Sequence, residues 1–257
     1  MARLDAVHNQ RLSMRISRIY VTFPLNLNER VELDDNSSHY VRTVLRQKKD
    51  DTIILFNGRG GEYTCLLSEV SRKTVVVNVK SWSDRTVESP IHVTLGLGIS
   101  RGDRMDLAVQ KAVELGINSI TPIMTERCVV QLKGEKEQQR VQHWQKIVQH
   151  AAEQSGRTVL PELVAVEAIQ DWVRHQHGLK IFLDPYADCS LSQLKPDGLG
   201  VTLLTGPEGG FSDLERIVAK AAGFIPVHLG SRILRTETAS IAALAAVQML
   251  WGDFARR

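Results

Sequence analysis

The chain is predicted to hold two parts, a small β-barrel followed by an α/β domain with a parallel sheet. Three observations predict this. From Arg18 to Lys80 short strand-forming runs follow one another, whereas beyond residue 90 strand-like and helix-like segments alternate. Between the two regions lies SWSDRTVESP, a polar stretch closed by Pro90 that reads as a linker. At 257 residues and 43% hydrophobic content, the chain has room for one large or two modest globular domains.

In the first part the β runs are RIYVTF, RVEL, TIILF, EYTCLL and TVVVNV, with NGRGG as the turn between TIILF and EYTCLL. One helix interrupts them. DDNSSHYVRTVLRQ opens with cap-forming residues and then places Tyr40, Val41, Val44 and Leu45 on one side and His39, Arg42 and Arg46 on another. In the second part the strands are IHVTLGLGI, SITPIM, TVLPELVAV, LKIFLD, VTLLTG and FIPVHLG. Between them stand the helical segments MDLAVQKAVELG, QQRVQHWQKIVQHAAEQ, AIQDWVRHQ and FSDLERIVAKAAG, and a last helix starts at Glu237. Regular alternation implies a parallel sheet covered on both faces. In such sheets ligands sit beyond the carboxyl ends of the strands, which is where TGPEGG and LGSRILRTET fall.

Composition excludes several classes. No apolar run is long enough to span a bilayer, and the start MARLDAVHNQRLSM lacks the apolar core of an export signal. Cys65, Cys128 and Cys189 are odd in number and far apart, so neither a disulfide framework nor a structural metal site is expected, and a cytoplasmic location is. The net charge of +3 is unevenly placed. Residues 1–89 carry 14 Lys and Arg against 11 Asp and Glu, while the remainder is balanced. Arg15, Arg18, Arg42, Arg46, Lys48 and Lys49 crowd this region as a phosphate-contacting face requires, although an ordinary solvated surface has the same composition.

Two glycine-bearing motifs invite a ligand reading, although TGPEGGF by itself reads equally well as a tight strand-to-helix turn without a ligand. LGLGISRG offers Gly96, Gly98 and Gly102, but Arg101 stands where a dinucleotide fingerprint needs its third glycine, and no P-loop lysine exists. A Rossmann cofactor is therefore rejected. In TGPEGGF, Pro207 fixes φ, Gly206, Gly209 and Gly210 free the backbone, and Ser212 or Asp213 caps the next helix. RILRTETAS then sets Arg235 and Glu237 at the start of an alanine-rich helix.

These segments, together with MRISRIY, HYVRTVLR, SRGDRMDLAVQKAVELG, TERC, WQKI, EQSGR, LLTGPEGGFSDLE and LGSRILRTETA, resemble the RsmE-type 16S ribosomal RNA uridine-N3 methyltransferases of the SPOUT, or α/β-knot, superfamily. The resemblance covers nearly all of the chain from Met14 and leaves residues 1–13 as an extension. It implies a PUA-like RNA-binding barrel over 14–85 and a SPOUT domain over 86–257, threaded into a deep trefoil knot. It also implies S-adenosylmethionine as cofactor, 16S ribosomal RNA or the assembled small subunit as partner, and a homodimer joined through the last helix and the VELG helix. Leu204, Thr205, Gly206, Pro207, Glu208, Gly209 and Gly210 would form one cofactor wall. Leu229, Gly230, Ile233, Leu234, Arg235 and Thr238 would form the other. For catalysis, Arg235 is expected to stabilise the uridine anion, with Glu237 or Glu153 as base. Arg15, Arg18, His39, Arg42, Arg46 and Arg101 are expected to contact RNA, and no metal is expected. A 2'-O-ribose methyltransferase and a non-catalytic ribosome-assembly factor are the alternatives.

Overall fold

A computed structural model describes residues 16–130, 132–198 and 200–255. The extension 1–13 and Arg15 lie outside the described residues. The chain divides into two compact units, one formed by residues up to Val87 with Gly156–Val159, the other by Glu88–Ser155 with Leu160–Arg257.

The first unit is a five-stranded sheet of β1 (Arg18–Tyr20), β2 (Arg30–Glu32), β3 (Thr52–Phe56), β4 (Glu62–Val70) and β5 (Val75–Ser83), in the order β1-β3-β4-β5-β2. Only β1 and β3 run parallel. Ile19 of β1 and Val31 of β2 pack into the same core as Ile53, Leu67 and Val77, so the sheet curls until its two edge strands share one interior. Register shifts in the β4–β5 ladder, at Thr64/Cys65 and Leu67/Glu69, supply the local twist such curling needs. β5 runs through Ser83, so SWS of the expected linker is strand, with Trp82 opposite Tyr63.

The helix of this unit departs from the expected one. α1 (Asp35–His39), capped by the Asp34 carboxylate on Ser37 N, gives way to a π-helical turn over Tyr40–Val44, in which Leu45 N donates to Tyr40 O at 3.0 Å. The wider turn breaks the 3.6-residue period. Val44 is consequently 59% exposed and not on the buried side, while Val41 is fully buried. Arg46 lies beyond the helix end in the left-handed region at φ 54, so it is not one helical turn from Arg42 on a common face.

The second unit holds β6 (His92–Gly98), α2 (Gly102–Glu114), β7 (Ser119–Met124), α3 (Glu135–Ser155), β8 (Glu162–Leu163), β9 (Glu167–Ala168), α4 (Ile169–Trp172), β10 (Leu179–Leu183), β11 (Gly200–Thr205), α5 (Asp213–Ala221), β12 (Ile225–Val227) and α6 (Thr236–Leu250). All its strand pairs are parallel, in the order β12-β10-β11-β6-β7-β8, with β9 also on β7. Central strands such as β11, buried at every residue from Val201 to Thr205, show the continuous burial of a sheet covered on both faces. TVLPELVAV is not one strand. Its first residues belong to the first unit, where Gly60 N donates to Thr158 O, and Pro161, with no N–H to give a ladder, separates them from β8. No helix among the described residues is long and apolar enough to cross a membrane.

Candidate active site

Three neighbouring parallel strands, β12, β10 and β11, end on the same side of the sheet, and the loops leaving them surround a cavity of about 370 Å³. From β10 come Leu183, Asp184 and Pro185; from β11, the turn Gly206 to Gly210; and from β12, the loop Leu229 to Arg235, which feeds α6. The β11 turn closes through Gly210 N on Pro207 O at 2.9 Å, with Gly210 at φ +65. Ser212 then caps α5 in a reciprocal pair with Glu215. The second Glu215 oxygen accepts Glu126 N at 2.7 Å, which ties the loop after β7 to the start of α5. The glycines of LGLGISRG serve packing. A Cβ at Gly96 would enter the Trp172 ring, and one at Gly98 would lie 2.4 Å from Pro207 N, so β6 presses its end against the turn.

The cavity carries paired and unpaired charge. Glu208 Oε1 accepts from Arg101 N and Arg104 Nη1, both at 3.2 Å, whereas its Oε2 is shielded from solvent and has no hydrogen-bond partner. Asp184, only 6% exposed, holds Arg216 Nη1 at 2.6 Å and accepts Tyr186 N at 3.0 Å. Arg232 and Arg235 also line the cavity and make no hydrogen bond or ion pair through their side chains among the described residues. Ser240 of α6 donates to Thr205 Oγ1 at 3.1 Å, locking the last helix to the end of β11.

Of the expected cofactor residues, Thr205, Gly206, Pro207, Glu208 and Gly210 line the cavity from β11, and Leu229, Gly230, Ile233, Leu234 and Arg235 line it from the β12 loop. Three others take different places. Leu204 is buried in the core beside Phe182 and Phe211. A Cβ at Gly209 would meet Arg127 Cβ at 2.8 Å, so this glycine accommodates the loop after β7, and Thr238 is solvent-exposed one turn into α6. Glu237 is buried, with an unpartnered Oε2, but is not part of the lining. Neither is Glu153, which accepts from Gln149 and from His150 on α3. That hydrogen bond raises the pKa of the His150 imidazole above 6.5.

Arg104, Asp184, Phe211, Arg216 and Arg232 line the cavity without having been singled out from the sequence, and Thr236 of the RTET loop lines it too. Asp184 had a signal, as the polar residue closing the apolar run IFL at a strand end. Arg104 and Arg216 had none, because only folding brings them to Glu208 and Asp184. Among the expected RNA contacts, Arg18 has partners within its own unit. It is committed to the Glu62 carboxylate, to Arg157 O at 3.2 Å and to the face of Phe56, with a side chain only 10% exposed. Arg42 donates to Ser38 O and Ser71 O, and His39, Arg46 and Arg101 are exposed. No group of three or more potential metal ligands occurs among the described residues.

Comparisons with known proteins identify the family. Residues 87–248 match the family described as RNA methyltransferase domain, and residues 33–80 match the RNA methyltransferase PUA domain. Ribosomal RNA small subunit methyltransferase E of Buchnera aphidicola subsp. Schizaphis graminum is 37% identical over 94% of this chain and 99% of its own length. The protein of the same name from Bacillus subtilis is 32% identical over 84% and 90%. A crystal structure of ribosomal RNA small subunit methyltransferase E from Neisseria gonorrhoeae, bound to S-adenosyl methionine, superposes with a TM-score of 0.88 at 36% identity, covering 93% of this chain and 99% of that one. With a PUA-like first unit, a parallel-sheet second unit and a cavity at its strand ends, the chain belongs to the ribosomal RNA small subunit methyltransferase E family.

Proposed function

We propose that the protein transfers the methyl group of S-adenosylmethionine to N3 of a uridine in the 16S ribosomal RNA of the small subunit. The observation that carries this reading is the cavity itself. Its volume lies in the range of roughly 300–1,000 Å³ of small-molecule sites, and it holds an orphaned buried acceptor, Glu208 Oε2, beside an unpaired cation, Arg235. The residues fit the cofactor. The backbone of Thr205 to Gly210 and of Leu229 to Leu234 would hold it, with Glu208 available to a hydroxyl or amino group. When bound, it supplies an electrophilic methyl group on a sulfonium.

What remains for the chain is to orient the uracil, exclude water and favour the anion at N3. Arg235 does the last. A cation beside N3 lowers the energy of its anion, and Glu237, two residues after Arg235 in sequence and buried with an unpartnered Oε2, or Glu153 takes the proton. The unit boundary near residue 87, the homodimer, the cytoplasmic location and the knotted path of the last segments belong to the same proposal.

The test is nucleoside mass spectrometry of small subunits and of free 16S RNA incubated with the protein and S-adenosylmethionine. N3-methyluridine is the expected product. A 2'-O-methylated nucleoside would replace the reading with ribose methylation, and no methylated product with intact cofactor affinity would replace it with a binding factor. Arg235→Ala is expected to slow single-turnover transfer roughly a hundredfold or more while cofactor affinity holds.

A further inference from the structure

The two most exposed of the large apolar side chains in the described residues are Ile233 at 77% and Tyr186 at 74%. Both stand at the cavity. Ile233 lines it, and Tyr186 follows the lining residues Asp184 and Pro185. Their loops leave adjacent strands, since Leu183 of β10 pairs with Val227 of β12 and Asp184 N donates to Val227 O at 3.0 Å.

Tyr186 is exposed but firmly held. The Asp184 carboxylate accepts Tyr186 N at 3.0 Å, Ala187 N closes the turn on Asp184 O at 3.1 Å, and Pro185 fixes φ between them. The same carboxylate binds Arg216, whose guanidinium lies 5.8 Å from the centre of the Tyr186 ring. A buried acid thus fixes both the backbone under the ring and the cation beside it. An aromatic ring left in water on a fixed stretch of backbone beside the cavity is an arrangement suited to stacking, because an aromatic side chain has few torsions to lose when a flat partner binds. The neighbouring cations Arg232 and Arg235 carry no internal ion pair and favour a polyanion.

We propose that Tyr186 is a stacking platform for an unpaired base of the RNA strand entering the cavity, with Ile233 as a second apolar contact and Arg232 near its phosphate. This rests on the RNA methyltransferase reading above and adds to it a subsite that reads strandedness. A base inside a duplex has both faces covered by its neighbours, so only single-stranded or splayed nucleotides can use the ring.

The test measures binding of a fluorescent single-stranded RNA oligonucleotide, and of the same sequence as a duplex, by anisotropy without cofactor. Tyr186→Phe is expected to bind the single strand within about twofold of the unchanged protein. Tyr186→Ala is expected to weaken it about 5- to 150-fold, the range for losing one aromatic–base stack, with duplex affinity unchanged. S-adenosylmethionine affinity by calorimetry and the mass by light scattering are expected to stay the same in both variants. Equal single-strand affinity for Tyr186→Ala would overturn the platform, as would an equal loss for the duplex. A change of mass would make the ring a subunit contact, and loss of cofactor affinity would make it part of the cofactor wall. Because binding needs no turnover, failure of the unchanged protein to methylate RNA would strike the functional reading and leave this result separate.

Discussion

Gly98 shows how a single absent side chain positions the site. An alanine there would put Cβ 2.4 Å from Pro207 N and 2.6 Å from Gly206 C, distances that only movement of the turn relieves. Gly210 is a different case, with φ +65 but open space around the missing Cβ. Gly98→Ala is expected to lower unfolding free energy by about 1–3 kcal/mol in urea titrations and to weaken cofactor binding. Gly210→Ala is expected to cost about 1 kcal/mol from backbone strain alone. Equal effects for the two would mean that the contact with Pro207 does not shape the turn. Cys65 gives a pH signature in the first unit. Burial pushes its thiol from 9.0 up to about 12, against the smaller opposing effect of its hydrogen bond with the Leu55 backbone. A raised folded pKa means that the contribution is fully present below about pH 9 and is lost as pH rises from there towards 12. Stability is therefore expected to decline from pH 9 upward, and less steeply in Cys65→Ala. Parallel curves would show that other groups carry the alkaline loss.

Elements whose period survived folding were legible before any coordinates. β11 follows from the run VTLL, and α5 from FSDLERIVAKAAG with Ser212 or Asp213 as its cap, of which the structure uses Ser212, because both signals are local and the tertiary structure agrees with them. The π-helical turn at Tyr40–Val44 was not legible. One added residue per turn is set by packing and leaves no mark in composition, so a 3.6-residue reading placed Val44 inside. TVLPELVAV misled for a related reason, since its first residues bond to the first unit across a long sequence separation. The site divides in the same way. TGPEGG stands out as a cluster of glycine and proline at a strand end, but by itself it reads equally as a ligand loop and as a bare strand-to-helix turn, and only the second loop tips the balance. The Asp184–Arg216 pair spans 32 residues and exists only once β10 and α5 are placed. Gly209 was legible as a constrained position, but its constraint comes from Arg127 rather than from the cavity.

At the scale of the whole molecule, α6 has more apolar surface than its own chain covers. Its inner face is complete: Ala243, Leu244 and Val247 are fully buried, and Gln248 accepts Ser89 Oγ at 2.7 Å and donates to Leu115 O at 2.9 Å. Its outer face is not, for Met249 is 58% and Leu250 46% exposed, Phe254 just beyond the helix is 51% exposed, and Leu107 on α2 is 40% exposed. Exposed apolar side chains on a helix that packs along α2 are what a subunit interface would cover. Two copies joined through this face would bury it by symmetry, each presenting the same residues to the other. Light scattering at micromolar concentration is expected to give about twice the 28.7 kDa chain mass. Met249→Asp provides the sharper arm. The side chain is exposed within its own chain, so a carboxylate there leaves the single chain folded, whereas two copies would have to desolvate it against apolar neighbours. The variant is expected to run at the single-chain mass with unchanged circular dichroism. A single-chain mass for the unsubstituted protein, or a dimer that persists in Met249→Asp, would move the interface away from α6.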